Sequence, residues 1–367
     1  MRTSAGAVLA GALLLVACST PSGSPSPSPT AGPSTTGGPS TSAGATASPE
    51  PSDGEPVAGW RELSASGEAP AAREDHTWTV APDGASAYLF GGRQTDGSAL
   101  ADLWAYDLAA DAWTAVDATG PAARFGHSAA WVSGVGLVIF GGQAGATFFN
   151  DLWAFDPTTE AWTQLPAGGD VPVARYGSCA GIGPDGRLWI SHGFTSENAR
   201  FADTRAYDFT LHAWTDETPV ADRPVERCLH GCWWTDDGGF VLYAGQTNGV
   251  PALGDLWRLT PGERPATNAW AELAPREAPP DRNLYAAARW DGATLVFGGR
   301  GADDAYLADL WRLGDDGGVT PVDLPGAAPP ARSGAELVAD LGVGRLLLFG
   351  GRDAGGARAD LWELTLP

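Results

Sequence analysis

Residues 121–165 read PAARFGHSAAWVSGVGLVIFGGQAGATFFNDLWAFDPTTEAWTQL, and most of the chain beyond residue 58 is a set of variations on them. Three markers follow one another in that stretch: Pro-x-x-Arg ending at Arg124, an apolar run closing on Gly141-Gly142, and Asp151-Leu152-Trp153. The first marker recurs at Arg73, Arg124, Arg175, Arg227, Arg282 and Arg332, at intervals of 51, 51, 52, 55 and 50. The second recurs as YLFGG, LVIFGG, LWISHG, FVLYAG, TLVFGG and LLLFGG. The third recurs at Asp102, Asp151, Asp203, Asp255, Asp309 and Asp360. A lone diglycine would mean little. Six copies of three markers in register are an internal repeat, and a period near fifty suits the blades of a propeller.

Each repeat holds four short strands, a to d. The b strand is continuously apolar, as expected where both faces of a sheet are packed. The c strand alternates, as in DLWAFD, and its aromatics fill the space between blades. The d strand carries Trp-x-x-Leu/Val, as at Trp113 and Trp162; Trp214 and Trp270 mark two more such strands, and GGVTPVDL after Trp311 supplies a fifth without Trp. No such strand follows the sixth c strand at Asp360-Leu361-Trp362, yet an orphan Gly59-Trp60-Arg61-Glu62-Leu63 precedes the first repeat. The pattern predicts an all-β, six-bladed β-propeller over 58–367, with four antiparallel strands per blade. The N-terminal strand closes the last blade and leaves no open edge.

The order of diglycine, aromatic c strand and d-strand Trp resembles the Kelch repeat, over roughly residues 58–367. The third and fourth repeats depart from it, with His192-Gly193 and Ala244-Gly245 for the diglycine and Arg205 for the c-strand Trp. Kelch propellers include binding modules, galactose-oxidase-like enzymes and sugar epimerases, so the resemblance implies a fold without deciding a function. The leading reading is a non-enzymatic module that binds a protein or carbohydrate ligand. The alternative is a carbohydrate-active or oxidase-like enzyme working at the channel mouth.

The N-terminus reads as an export signal: a basic start at Arg2, an apolar run from Ala5 to Ala17, and a small-residue end. That run is too short to span a bilayer comfortably. Leu15-Val16-Ala17-Cys18 resembles the lipobox of bacterial lipoproteins, which implies cleavage after residue 17 and acylation of Cys18. Residues 1–18 are thus expected to be a lipoprotein signal, and 19–57, almost wholly Ser, Pro, Thr, Gly and Ala, a disordered linker. The expected location is extracytoplasmic, on a bacterial cell membrane or envelope through the lipid anchor only. A net charge of −22 argues against nucleic acid as a partner. All 22 basic residues are Arg, planar forks suited to carboxylates or phosphates.

No nucleophile elbow, phosphate loop or zinc-protease pattern is present, and no catalytic residue or resident cofactor is expected. His76, His127 and His230 each fall three residues after a repeat Arg, so neighbouring blades would raise imidazoles to one height near the channel. They are candidate metal ligands, or else hydrogen-bonding parts of the repeat. Cys179 is placed to bridge either Cys228 or Cys232, leaving one thiol over. In an antiparallel meander the d–a and b–c connections share one face. The repeat arginines Arg73, Arg124, Arg175, Arg227, Arg282 and Arg332 lie on the first. Arg93, Arg300 and Arg352 open the second. Nine arginines around one mouth suggest a site for an anionic ligand, such as an acidic sugar or peptide. The competing expectation is that the repeat Asp residues pair with the six repeat arginines and leave a structural ring.

Overall fold

Every repeat folds as an antiparallel meander whose inner strands are the apolar runs. The computed structural model describes residues 58–196 and 199–367; the expected signal with Cys18, and the linker 19–57, lie outside the described residues. The first repeat comprises Thr77–Val80, Ser86–Phe90, Leu103–Asp107 and Ala112–Val116, and the second Ser128–Val132, Gly136–Phe140, Leu152–Asp156 and Ala161–Gln164. The third comprises Cys179–Ile182, Leu188–Phe194, Arg200–Asp208 and Ala213–Asp216; the fourth Gly231–Trp234, Phe240–Thr247, Val250–Thr260 and Ala269–Leu273. The fifth comprises Ala286–Trp290, Ala293–Gly301, Tyr306–Gly314 and Val319–Pro321. In the last, Ser333–Asp340, Arg345–Asp353 and Leu361–Thr365 are joined by Gly59–Leu63, paired antiparallel from Gly59 opposite Thr365 to Leu63 opposite Leu361. No α-helix occurs among the described residues.

The b strands are largely buried, and Gly136–Phe140 along its whole length, because neighbouring meanders cover both faces. The apolar clusters accordingly lie between meanders rather than within them. One joins Phe90 and Leu103 of the first repeat to Leu137 and Phe155 of the second, and another joins Val138 and Phe140 to Leu188 and Trp214. A third joins Val338, Leu347 and Phe349 of the last repeat to Trp78, Leu89 and Trp113 of the first.

The d-strand Trp does the same work in the first three repeats. Trp162 packs on Phe155 of its own c strand (5.3 Å between ring centroids) and on Phe90 of the preceding repeat (5.2 Å). Trp113 stands likewise between Tyr106 and Phe349, and Trp214 between Tyr207 and Phe140. Trp60, far from any repeat in sequence, packs 5.1 Å from Phe297, the last b-strand residue of the fifth repeat. The N-terminal strand therefore fills the d position of the last meander in side-chain packing as well as in hydrogen bonding.

This gives a direct expectation for truncation. A chain beginning at Gly67 lacks Trp60 and leaves Leu361–Thr365 with an open edge. It should lose about 3–5 kcal/mol or more and melt roughly 10 °C lower than a chain beginning at Ala58. Equal melting temperatures by circular dichroism would count against the assignment of this strand.

Candidate functional site

The connections into the six a strands meet one another. Two residues after each repeat Arg stand Asp75, Gly126, Gly177, Leu229, Leu284 and Gly334, all with φ between +52° and +64°. Their backbones form a hydrogen-bonded cycle. Asp75 N–H donates to Gly334 O, Gly334 to Leu284, Leu284 to Leu229, Leu229 to Gly177, Gly177 to Gly126, and Gly126 back to Asp75, at 2.7–3.1 Å. In the same connections, the residue after each Arg pairs with the residue after the diglycine, as Glu74 with Arg93, Phe125 with Gln143 and Tyr176 with Phe194. The d–a and b–c connections thus lie together on one face.

The six repeat arginines do not line that face. Each is at most 1% exposed. Each Nε donates to the carbonyl two residues earlier, as Arg124 does to Ala122 O at 2.9 Å. Each Nη1 donates to the carbonyl of the first diglycine position, as to Gly141 O at 2.9 Å. Nη1 and Nη2 also grip both oxygens of the repeat Asp, at 2.6–3.0 Å in all six copies. The c-strand Trp completes the unit by donating its indole N–H to the same Asp, as Trp153 does to Asp151 at 2.8 Å. In the third repeat Arg205 Nε replaces the indole, 3.1 Å from Asp203. Burial alone would raise these carboxyls, but the bonds from Arg, its charge and the indole outweigh it and hold each below the usual carboxylate range. The expectation of an open anion-binding ring is corrected for Arg73, Arg124, Arg175, Arg227, Arg282 and Arg332, whose donors are consumed inside the fold.

Arg93, Arg300 and Arg352 are partly exposed, and each already faces an acid. Arg93 lies 3.1 Å from Glu74 and 3.2 Å from Asp75, over the Phe125 ring. Arg352 donates to Glu74 at 2.7 Å, and Arg300 lies 2.6 Å from Asp304. Sequence reasoning missed what surrounds them. A file of aromatics runs from Phe125 through Tyr176 and Phe194 to Phe148, with centroid steps of 5.7, 6.4 and 5.8 Å. Arg93 caps one end, and Arg200 stacks over Phe194.

Below the mouth two cavities follow the axis, of about 120 and 280 Å³. His76, His127 and His230 line them, each inserted toward the preceding repeat. His127 packs on Phe90 and its Nε2 lies 2.8 Å from Thr77 Oγ1, while His76 packs on Phe349 and His230 on His192. They stand one repeat or more apart, and no set of three metal-ligating residues comes together among the described residues. Burial, then the charge of Arg73, pushes His76 well down; burial, then Arg124, brings His127 to about 3; burial, then His192, lowers His230. All three rings are neutral at pH 7. Cys179 bridges Cys232 across the third and fourth a strands, and buried Cys228 stays free. Cys228 sits ahead of strand Gly231–Trp234, whereas Cys232 lies on it.

The cavity wall holds a second missed residue. The position opposite the last b-strand residue carries Thr77, Ser128, Cys179, Gly231 and Ala286 in five repeats and Glu336 in the sixth. Aligning the repeats by their Arg would have exposed Glu336, and also Asp75 among the Gly and Leu of the ring.

The KLHDC2/KLHL20/DRC7 Kelch-repeats domain model matches residues 58–245. Human multiple epidermal growth factor-like domains protein 8 is 31% identical over 50% of this chain and 7% of its own length. Acyl-CoA-binding domain-containing protein 5 of Arabidopsis thaliana is 32% identical over 47% of this chain and 28% of its own. The Rab9 effector protein with kelch motifs of Xenopus laevis is 36% identical over 25% of this chain and 26% of its own. The chain thus spans less than a third of each of these relatives.

The buried pairs and the surface pairs separate by measurement. Arg124→Ala strands Asp151 and the Gly141 carbonyl, and should cost about 3–5 kcal/mol in chemical denaturation. Arg300→Ala, whose partner Asp304 is mostly exposed, should cost less than about 1 kcal/mol. Similar losses for both would contradict the structural role given to the repeat arginine.

Proposed function

The chain belongs to the family of Kelch-repeat domains that the KLHDC2/KLHL20/DRC7 model describes, and on that premise we propose that it is a lipid-anchored, extracytoplasmic module binding a protein partner. Kelch repeats generally mediate protein–protein interaction. We read the six meanders as the blades of a closed propeller. The hydrogen-bonded cycle from Asp75 to Gly334 and the pairing of Gly59–Leu63 with Leu361–Thr365 support this reading.

The observation that carries the binding reading is the aromatic file on the d–a/b–c face. Tyr176, Phe194 and Phe148 are half-buried, and Arg93 and Arg200 are stacked at Phe125 and Phe194. Aromatic and Arg side chains held rigid at a surface are the types that anchor protein interfaces. Because Arg93, Arg300 and Arg352 are matched by Glu74, Asp75 and Asp304, the face is mixed in charge. A partner of mixed polarity fits it better than a purely anionic ligand.

Two measurements test this. Phe148→Ser with Phe194→Ala should weaken partner capture from envelope extracts at least roughly tenfold with little change in melting temperature. Equal loss from a substitution in the a–b turn at Asp83 would refute the assignment of the face. For the anchor, mass spectrometry of the mature N-terminus should find acyl chains on Cys18, and Cys18→Ala should release the protein or strand its precursor. An unmodified terminus beginning elsewhere rules the anchor out.

A further inference from the structure

The axial cavities carry carboxyls but no cation. No arginine among the described residues lines either one, and the three imidazoles on their walls are neutral. Glu336 lines both cavities, and the charge acting on it is that of Asp75. Asp75 lines the smaller cavity and is only 6% exposed; neither of its oxygens accepts a hydrogen bond, although Arg93 Nη2 stands 3.2 Å from Oδ2. Both ring nitrogens of His76 and of His230 lack a partner, at 2% and 8% exposure. Buried polar atoms in folded proteins are nearly always paired with protein, water or ligand. A neutral imidazole offers one acceptor and one donor, and these open groups, with the carboxylate oxygens of Asp75, point to something that fills the space.

We infer that the axial channel binds a primary ammonium group, with Glu336 as its counter-ion and Asp75 as a second carboxyl toward the mouth. An ammonium carries three donors and no acceptor. It complements a wall made of a carboxylate, neutral imidazole nitrogens, and the hydroxyls of Thr79 and Ser178. A metal ion fits less well, since no three ligating side chains converge among the described residues. The titratable groups facing Glu336 across the cavities are Asp75, His76, His127, His230 and Tyr285. Burial, then Asp75, pushes Glu336 up to about 8. An ammonium binds its ionised form, so binding weakens as pH falls below that value.

The probe is propylammonium chloride, with propionamide as a neutral control and sodium chloride at matched ionic strength. At about pH 8.5 propylammonium should raise the melting temperature of the protein in a dose-dependent way, and calorimetry should give a saturable heat. Glu336→Gln should bind at least about tenfold more weakly, and wild type at about pH 6 likewise. A raised folded-state value stabilises at low pH and is lost as pH rises through about 8. Glu336→Gln should therefore melt no lower than wild type at about pH 9, which shows that the variant is folded. Asp75→Asn, which should also weaken binding, provides a second variant if it is not. Binding of N-acetyl-lysine methylamide in preference to propylammonium would assign the ammonium to a partner's lysine, and the reverse to a free amine. Either supports the site, and Nε-acetylation must abolish the former. Equal binding by Glu336→Gln, an equal shift with propionamide, or no saturable binding of the amine would overturn the inference.

Discussion

The buried Arg–Asp pair of each repeat is the contact on which the other structural features depend. One guanidinium ties the entry to the a strand, the end of the b strand and the start of the c strand. For Arg124 these are Ala122 O, Gly141 O and both oxygens of Asp151. The three sequence markers are therefore one object seen three times. A charge this deep is tolerable because four of the five N–H donors are matched, and the open side of the Asp is closed by an indole N–H. Where the indole is missing, in the third repeat, Arg205 supplies the donor. The chemistry persists even though the residue changes.

The same contact explains which departures from the repeat are allowed. The first position of the diglycine offers its carbonyl to the guanidinium and takes a left-handed conformation, at φ between +58° and +69°, that an L-residue can enter at a cost. His192 and Ala244 stand there at φ +58° and +60°. The second position tolerates no side chain. A Cβ on Gly142 would lie 2.9 Å from His127 Cβ and 3.0 Å from Phe125 O, and the equivalent on Gly245 2.8 Å from His230 Cβ. That glycine lies at φ between +88° and +118° in all six repeats, beyond the narrow left-handed region that an L-residue can enter, and the neighbouring connection also crowds it.

Spacing made most of the fold legible. Period, strand order and apolar runs follow from one-dimensional regularities, and even the N-terminal strand could be placed by counting d strands. Depth could not be read in the same way. Arg124 and Arg93 share a face and a residue type, yet one is enclosed and the other half-exposed. An arginine present in all six repeats serves the repeat, whereas the slot after the diglycine holds Arg in only three, and Arg93 and Arg352 there answer to Glu74. The disulfide stayed open for a related reason. Whether Cys179 faces Cys228 or Cys232 depends on where the fourth a strand begins, which spacing alone leaves to within a few residues.

The regular part of each repeat is saturated by its own bonds, so what distinguishes this chain must lie where the repeats differ. Three slots differ in a chemically meaningful way. At the ring, Asp75 replaces Gly or Leu in a left-handed conformation that costs an L-residue energy. On the channel wall, Glu336 replaces residues no larger than Thr and is left without a counter-ion. After the diglycine, Phe194 replaces the Arg or Gln of its counterparts and joins the aromatic file. Asp75 and Glu336 border one cavity, and Asp75 also meets Arg93 at the end of that file. Departures far apart in the sequence thus meet around one cavity. The Arg–Asp pairs hold the wall still, so a ligand there meets groups already in place and loses little to ordering them.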